Sequence, residues 1–268
     1  MSSTTMEERL CELAELKDLW DEIRDCGMFD QENVNINAIE KISYIAYLSD
    51  DHNDSDKAVL DVHPYFVDDD NEWRLHSFLD GNTHKNIVIV LESPHIYDYP
   101  YVLSYDNYND DMSPTLRVIH EYKEQLFMKL VRLCSIQKNE HYKIRIIDSV
   151  PFMASLGLEQ NCDTKKITYR IWNAIWNKCG YKNKFIQFLE ALPKDSIVLN
   201  ACTNYRLNHD QLSPKIQILD AVINSDSNPY YGRLSHPSSM KHVNSSNNYI
   251  NSIKNLSLRK FGNMNKEK

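Results

Sequence analysis

Four short stretches of this chain place acid, base and amide groups directly after apolar runs. They are Glu92-Ser93-Pro94-His95, Asp148-Ser149, Asn200, and Ser235-His236-Pro237. A carboxylate can stabilise a developing cation or orient a water molecule, as carboxylates do in glycoside hydrolysis. An imidazole near its ordinary pKa can hydrogen-bond a departing anion in either protonation state. Pro94 and Pro237 fix the backbone beside these groups, which favours a preorganised polar site. Read singly, Glu92 is equally well a cap and His236 a satisfied core histidine. Their shared position after apolar runs gives the set its weight.

Those runs define the elements that must carry the groups. Buried strands are expected at 86–92, 142–150, 196–202 and 230–237, with helical patterns near 114–136, 164–179, 182–192, 213–224 and 243–260. Strands alternating with helices predict an α/β fold, three layers α/β/α, around a mostly parallel four-stranded sheet. In such sheets ligands bind beyond the carboxyl ends of the strands, where the four polar stretches fall. Residues 1–80 read as an amino-terminal helical extension with an acidic loop, and 81–268 as the α/β domain. The extension has an amphipathic helix over 6–26, a second helix over 36–48, and a short strand at 62–67.

Composition bounds the classes of function. The 268 residues carry 42% hydrophobic and 25% charged side chains, enough for one or two ordinary folded domains. No apolar run reaches the ~20 residues that span a bilayer, and MSSTTMEERL lacks the apolar core of a signal peptide, so a cytoplasmic protein without membrane contact is expected. The six cysteines (Cys11, Cys26, Cys134, Cys162, Cys179, Cys202) contain no CxxC pair, so no cofactor, metal or iron–sulfur cluster is expected. Net charge is −8, yet it is unevenly spread. Between Asp50 and Asp80 ten acids face two bases, Lys57 and Arg74. From Ser227 onward the bases Arg233, Lys241, Lys254, Arg259, Lys260, Lys266 and Lys268 face Glu267 alone. A solvated basic tail and a nucleic-acid contact both fit this pattern.

VIVLESPH (88–95) and LSHPSS (234–239) together resemble the uracil-DNA glycosylase superfamily. Its members carry a first motif of the GQDPYH or GEAPG type after a strand and a late HPSP-type motif. The resemblance covers roughly residues 84–245, with IIDSVPF and IVLNACTNY in the places of the middle strands. It implies a DNA glycosylase that flips a base from the helix and leaves an abasic site without a separate lyase step. Glu92, Asp148 and His236 would then be catalytic. Ser93, His95, Tyr101, Tyr105, Ser149, Phe152 and Asn200 would surround the base. Arg233, Ser235, Ser238, Ser239, Met240, Lys241 and His242 would meet DNA, the serines and bases at phosphates and Met240 or His242 as a wedge. The chain departs from the superfamily pattern at Leu91, which replaces a glycine, and at Ser149, which replaces a base-reading asparagine. Small residues there (Ser149, Ala154, Ser155, Gly157) imply a roomy wall and a bulky base, such as glucosylated 5-hydroxymethylcytosine in phage DNA. No lysine near the motifs stands out for Schiff-base chemistry. The same residues are compatible with a hydrolase or transferase of nucleosides or nucleotides, and with a non-catalytic DNA-binding module of the same fold.

Overall fold

Runs rich in Ile and Val build the centre of the molecule. The computed structural model describes residues 40–48, 58–61, 85–93, 114–134, 141–150, 162–178, 180–204, 212–237 and 245–261. Seven strands lie within them: β1 (Glu40–Leu48), β2 (Ala58–Asp61), β3 (Lys85–Leu91), β4 (His141–Asp148), β5 (Ile197–Asn200), β6 (Tyr230–Arg233) and β7 (Arg259–Lys260). The helices are α1 (Pro114–Cys134), α2 (Cys162–Lys178), α3 (Tyr181–Glu190), α4 (Pro214–Asn224) and α5 (Ser245–Lys254).

The strands form one mixed sheet in the order β2-β1-β4-β3-β5-β6-β7. Its centre, β4-β3-β5-β6, is parallel, while β1 and β2 on one side and β7 on the other are antiparallel. Along β3, Ile87, Val88, Ile89 and Val90 are wholly buried, so this strand is covered on both faces. Val88 and Val90 pack with Trp172, Ile175, Phe185 and Ile218 from α2, α3 and α4. Ile87, Ile89 and Leu91 pack with Val118, Phe127, Leu130, Tyr249 and Ile253 from α1 and α5. The result is three layers, with an apolar core on each side of the sheet. Each such side chain contributes roughly 1.5–3 kcal/mol by leaving water. Trp172 and Trp176 stack at 5.3 Å between ring centres and stiffen the first core.

Two glycines act at points of constraint. Gly180 adopts φ 79° between α2 and α3, a left-handed conformation that breaks the helical run in two. Gly232, in β6, lies where a Cβ would come within 2.8 Å of both Leu256 and Leu258 side chains. It lets the chain after α5 close over the sheet.

The structure alters three expectations. The helix expected over 36–48 is strand β1 from Glu40 to Leu48, paired antiparallel with β4. EKISYIAYL carries Ile and Tyr at both helical and alternating spacings, and the open edge of β4 decides between them. The expected extension over 1–80 therefore contributes two strands to the sheet. The sheet has seven strands rather than four, with the expected parallel four at its centre. The last helix, expected over 243–260, stops at Lys254, and Arg259–Lys260 instead pairs with Tyr230 and Tyr231. The helix expected over 6–26, the strand at 62–67 and most of the acidic loop lie outside the described residues.

Candidate active site at the carboxyl edge of the sheet

The four central strands end side by side, and their ladder continues one step past each end. Ser149 N donates to Leu91 O at 2.9 Å, Ala201 N to Val90 O at 2.9 Å, and Leu234 N to Asn200 O at 3.0 Å. This alignment brings together Glu92, Asp148, Ser149, Asn200 and the turn that leads to His236. All five were expected at this edge from their position after apolar runs.

Glu92 is the centre of the cluster, and it is 2% exposed. Its backbone carbonyl accepts from Ser149 Oγ at 2.6 Å and from Trp172 Nε1 at 2.9 Å. Its carboxyl Oε2 accepts from Thr203 twice, through the hydroxyl and through the amide N at 3.3 Å. Oε1 is buried with no hydrogen-bond partner among the described residues, as is Ser93 Oγ beside it. Burial pushes the Glu92 carboxyl up to about 7, against the two Thr203 bonds, which pull it down. At neutral pH the group is thus divided between acid and carboxylate, the state suited to moving protons.

The other expected residues divide by the alternation of the strands. Glu92 continues the row of Val88 and Val90, on the side of α2, α3 and α4. Asp148 is wholly buried and opposite Leu91 in register, so it continues the row of Ile144 and Ile146 on the side of α1 and α5. The two carboxyls share one edge without sharing one face. Ser149 lies on the Glu92 side, but its hydroxyl both donates to the Glu92 carbonyl and accepts from Trp172 Nε1 at 3.2 Å. It braces two strand ends. Asn200 is likewise committed to the scaffold. Its Nδ2 donates to Lys215 O at 2.8 Å and to Tyr231 Oη at 2.9 Å, and its Oδ1 accepts from Cys202 N at 3.1 Å. Both amide hydrogens are used, so Asn200 holds the start of α4 against β6 and has no donor left for a base.

The turn carrying His236 is pinned from two helices. Lys215 Nζ, from the first turn of α4, donates to Leu234 O at 2.6 Å. Ser235 N donates to Ser252 Oγ of α5 at 3.0 Å, and that hydroxyl donates to Tyr249 O at 2.7 Å. His236 is half-buried just beyond these anchors, and Pro237 is buried. Arg233 is exposed at the end of β6, with its charge near Tyr231 and Lys215. Burial and Arg233 together push the Lys215 amine down, with burial the larger cause. Cys202, packed under Glu92, is a protonated thiol: burial first, then the charges of Glu92 and Asp148, raise it well above its ordinary value.

Thr203, Trp172 and Lys215 have roles here that the sequence reading missed. The polar ACTNY directly after an apolar strand was the available signal for Thr203, and Pro-Lys at a helix start for Lys215. His95, Tyr101, Tyr105, Phe152, Ser238, Ser239, Met240, Lys241 and His242 lie outside the described residues, as do Ala154, Ser155 and Gly157. Among the described residues no group of three or more His, Cys, Asp and Glu side chains is gathered as metal ligands would be, and no helix is long and apolar enough to cross a membrane. No protein family, no characterised protein and no solved structure matches this chain, so the site rests on its own geometry.

Proposed function

We propose that this chain is a DNA glycosylase that hydrolyses the N-glycosidic bond of a flipped, modified base at the carboxyl edge of its sheet. The observation that carries the reading is Glu92: a buried carboxyl with one oxygen held by Thr203 and the other without a partner among the described residues. Breaking the bond leaves positive charge on the sugar and negative charge on the base. As carboxylate, Glu92 stabilises the sugar cation through Oε1 and orients the attacking water. As acid, it returns a proton to the departing base. His236 hydrogen-bonds the base anion, and the double anchoring of its turn supports that role. Arg233, exposed at the same edge, meets a phosphate. The proposed base is a modified cytosine, glucosylated 5-hydroxymethylcytosine foremost. Ser149 does not read it, because its hydroxyl is already engaged.

The test is release of free base, followed by mass spectrometry, from DNA containing glucosylated cytosine, DNA containing uracil, and unmodified DNA. Release from the glucosylated DNA, reduced at least 100-fold in Glu92→Gln, is expected. Faster release of uracil would overturn the choice of base. Release from free nucleosides but from none of the DNAs would replace the reading with a nucleoside hydrolase.

A further inference from the structure

Lys215 lies 123 residues from Glu92 in sequence, and the fold brings both to one edge. Thr203 connects them: its amide and hydroxyl hold the Glu92 carboxyl, and its carbonyl accepts Lys215 N at 3.1 Å. Asn200 holds the Lys215 carbonyl from the other side, so the backbone that carries this lysine is fixed at two points. Its side chain ends at Leu234 O, within the turn that leads to His236.

The charge of Lys215 is badly placed for stability alone. It occupies the first turn of a helix, where the backbone already presents positive charge, and Arg233 adds more. Burial and Arg233 both disfavour a cation on that spot. A neutral amine escapes this. It keeps one N–H on Leu234 O and exposes a lone pair, the form an amine nucleophile needs.

We infer that Lys215 is the nucleophile of a second activity, an abasic-site lyase that acts on the product of the glycosylase proposed above, on which this inference rests. The abasic sugar opens to an aldehyde at C1′. Lys215 Nζ adds to that carbon, and the carbinolamine loses its hydroxyl as water, giving an imine. Glu92, as acid, supplies the proton that the leaving hydroxyl takes up. Its carboxylate then removes a proton from C2′, the C3′–O bond breaks, and the 3′ phosphate departs with the electron pair. Water hydrolyses the imine, which frees the lysine and leaves an unsaturated aldehyde on the cut strand.

The experiment uses the full chain and an oligonucleotide with a preformed natural abasic site, so no base release is needed. Sodium borohydride reduces an imine to a stable amine and locks protein to DNA. A covalent adduct mapping to Lys215 by peptide mass spectrometry is expected. It should fall at least 100-fold in Lys215→Ala and in Lys215→Arg. The arginine variant keeps a donor for Leu234 O but offers no free amine to the aldehyde, and its melting temperature reports whether the fold is kept. Base release by the wild type without an adduct would overturn the lyase alone. An adduct on another residue, or one undiminished in Lys215→Arg, would overturn it too. An adduct at Lys215 without release of any base would uphold the lyase and remove the glycosylase. Neither adduct nor release would remove both.

Discussion

Enclosing Glu92 carries a cost that depends on pH, and its sign can be worked from the site. The carboxyl sits near 4.5 in the unfolded chain and is raised to about 7 in the fold, chiefly by burial. Below the lower value both states hold the proton and ionisation adds no penalty. As pH rises between the two, the unfolded chain gives up its proton first, so stability falls; above the upper value the loss is complete. A shift of this size corresponds to about 3 kcal/mol. Glu92→Gln has nothing to ionise. Its stability relative to wild type should therefore climb by about 3 kcal/mol from pH 4.5 to pH 8, whatever constant offset the new amide introduces. Urea unfolding of both proteins at those two pH values reads the difference directly. The same variant should lose base release by two orders of magnitude or more, so that stability rises where activity is lost. A gap between variant and wild type that stays constant across this range would refute the reasoning, because it would mean that Glu92 does not titrate against its burial.

Thr203→Val removes one of the two donors on Glu92 and should move the Glu92 limb of the pH–rate profile upward by about one unit, the scale of one hydrogen bond to a charged group. A limb that stays in place would assign it to another residue. Gly232→Ala puts a methyl group within 2.8 Å of the Leu256 and Leu258 side chains and should cost ~1–2 kcal/mol by thermal denaturation; unchanged melting would show that those leucines move aside freely. Arg233→Glu should weaken DNA binding across sequences and lower the magnitude of the salt-dependence slope by about one or more, read by anisotropy titrations at several salt concentrations. Equal slopes would take Arg233 off the DNA.

The parallel centre of the fold was legible because β3 and β5 are near-continuous apolar runs, β4 and β6 are short segments rich in Ile or Tyr, and each is followed by polar groups that have no place in a core. Position along the chain was enough to bring Glu92, Asp148 and Asn200 to one edge. It did not tell which groups remain available. Ser149 and Asn200 look like ligands of a base in sequence, and only their partners across the sheet, Trp172, Tyr231 and Lys215, show that they brace the site. The faces of Glu92 and Asp148 depend on register, which sequence spacing does not carry from one strand to the next. The antiparallel edges were missed for a related reason. EKISYIAYL fits two periods locally, and what resolves it is the unpaired edge of β4, far along the chain.

That pairing sets an order of events during synthesis. Residues 40–48 leave the ribosome about 90 residues before β4, the strand they must pair with. At ordinary elongation rates the edge of the segment that takes β4 waits roughly 5–20 s without its partner, although β2 follows within about ten residues on the other edge. A stretch of that composition is a template for pairing with another nascent chain. Asp50, Asp51, Asp54 and Asp56 follow it immediately in sequence. Negative charge beside an apolar strand keeps like chains apart. The acidity of this region then serves the interval before the sheet is complete, whatever the finished molecule binds.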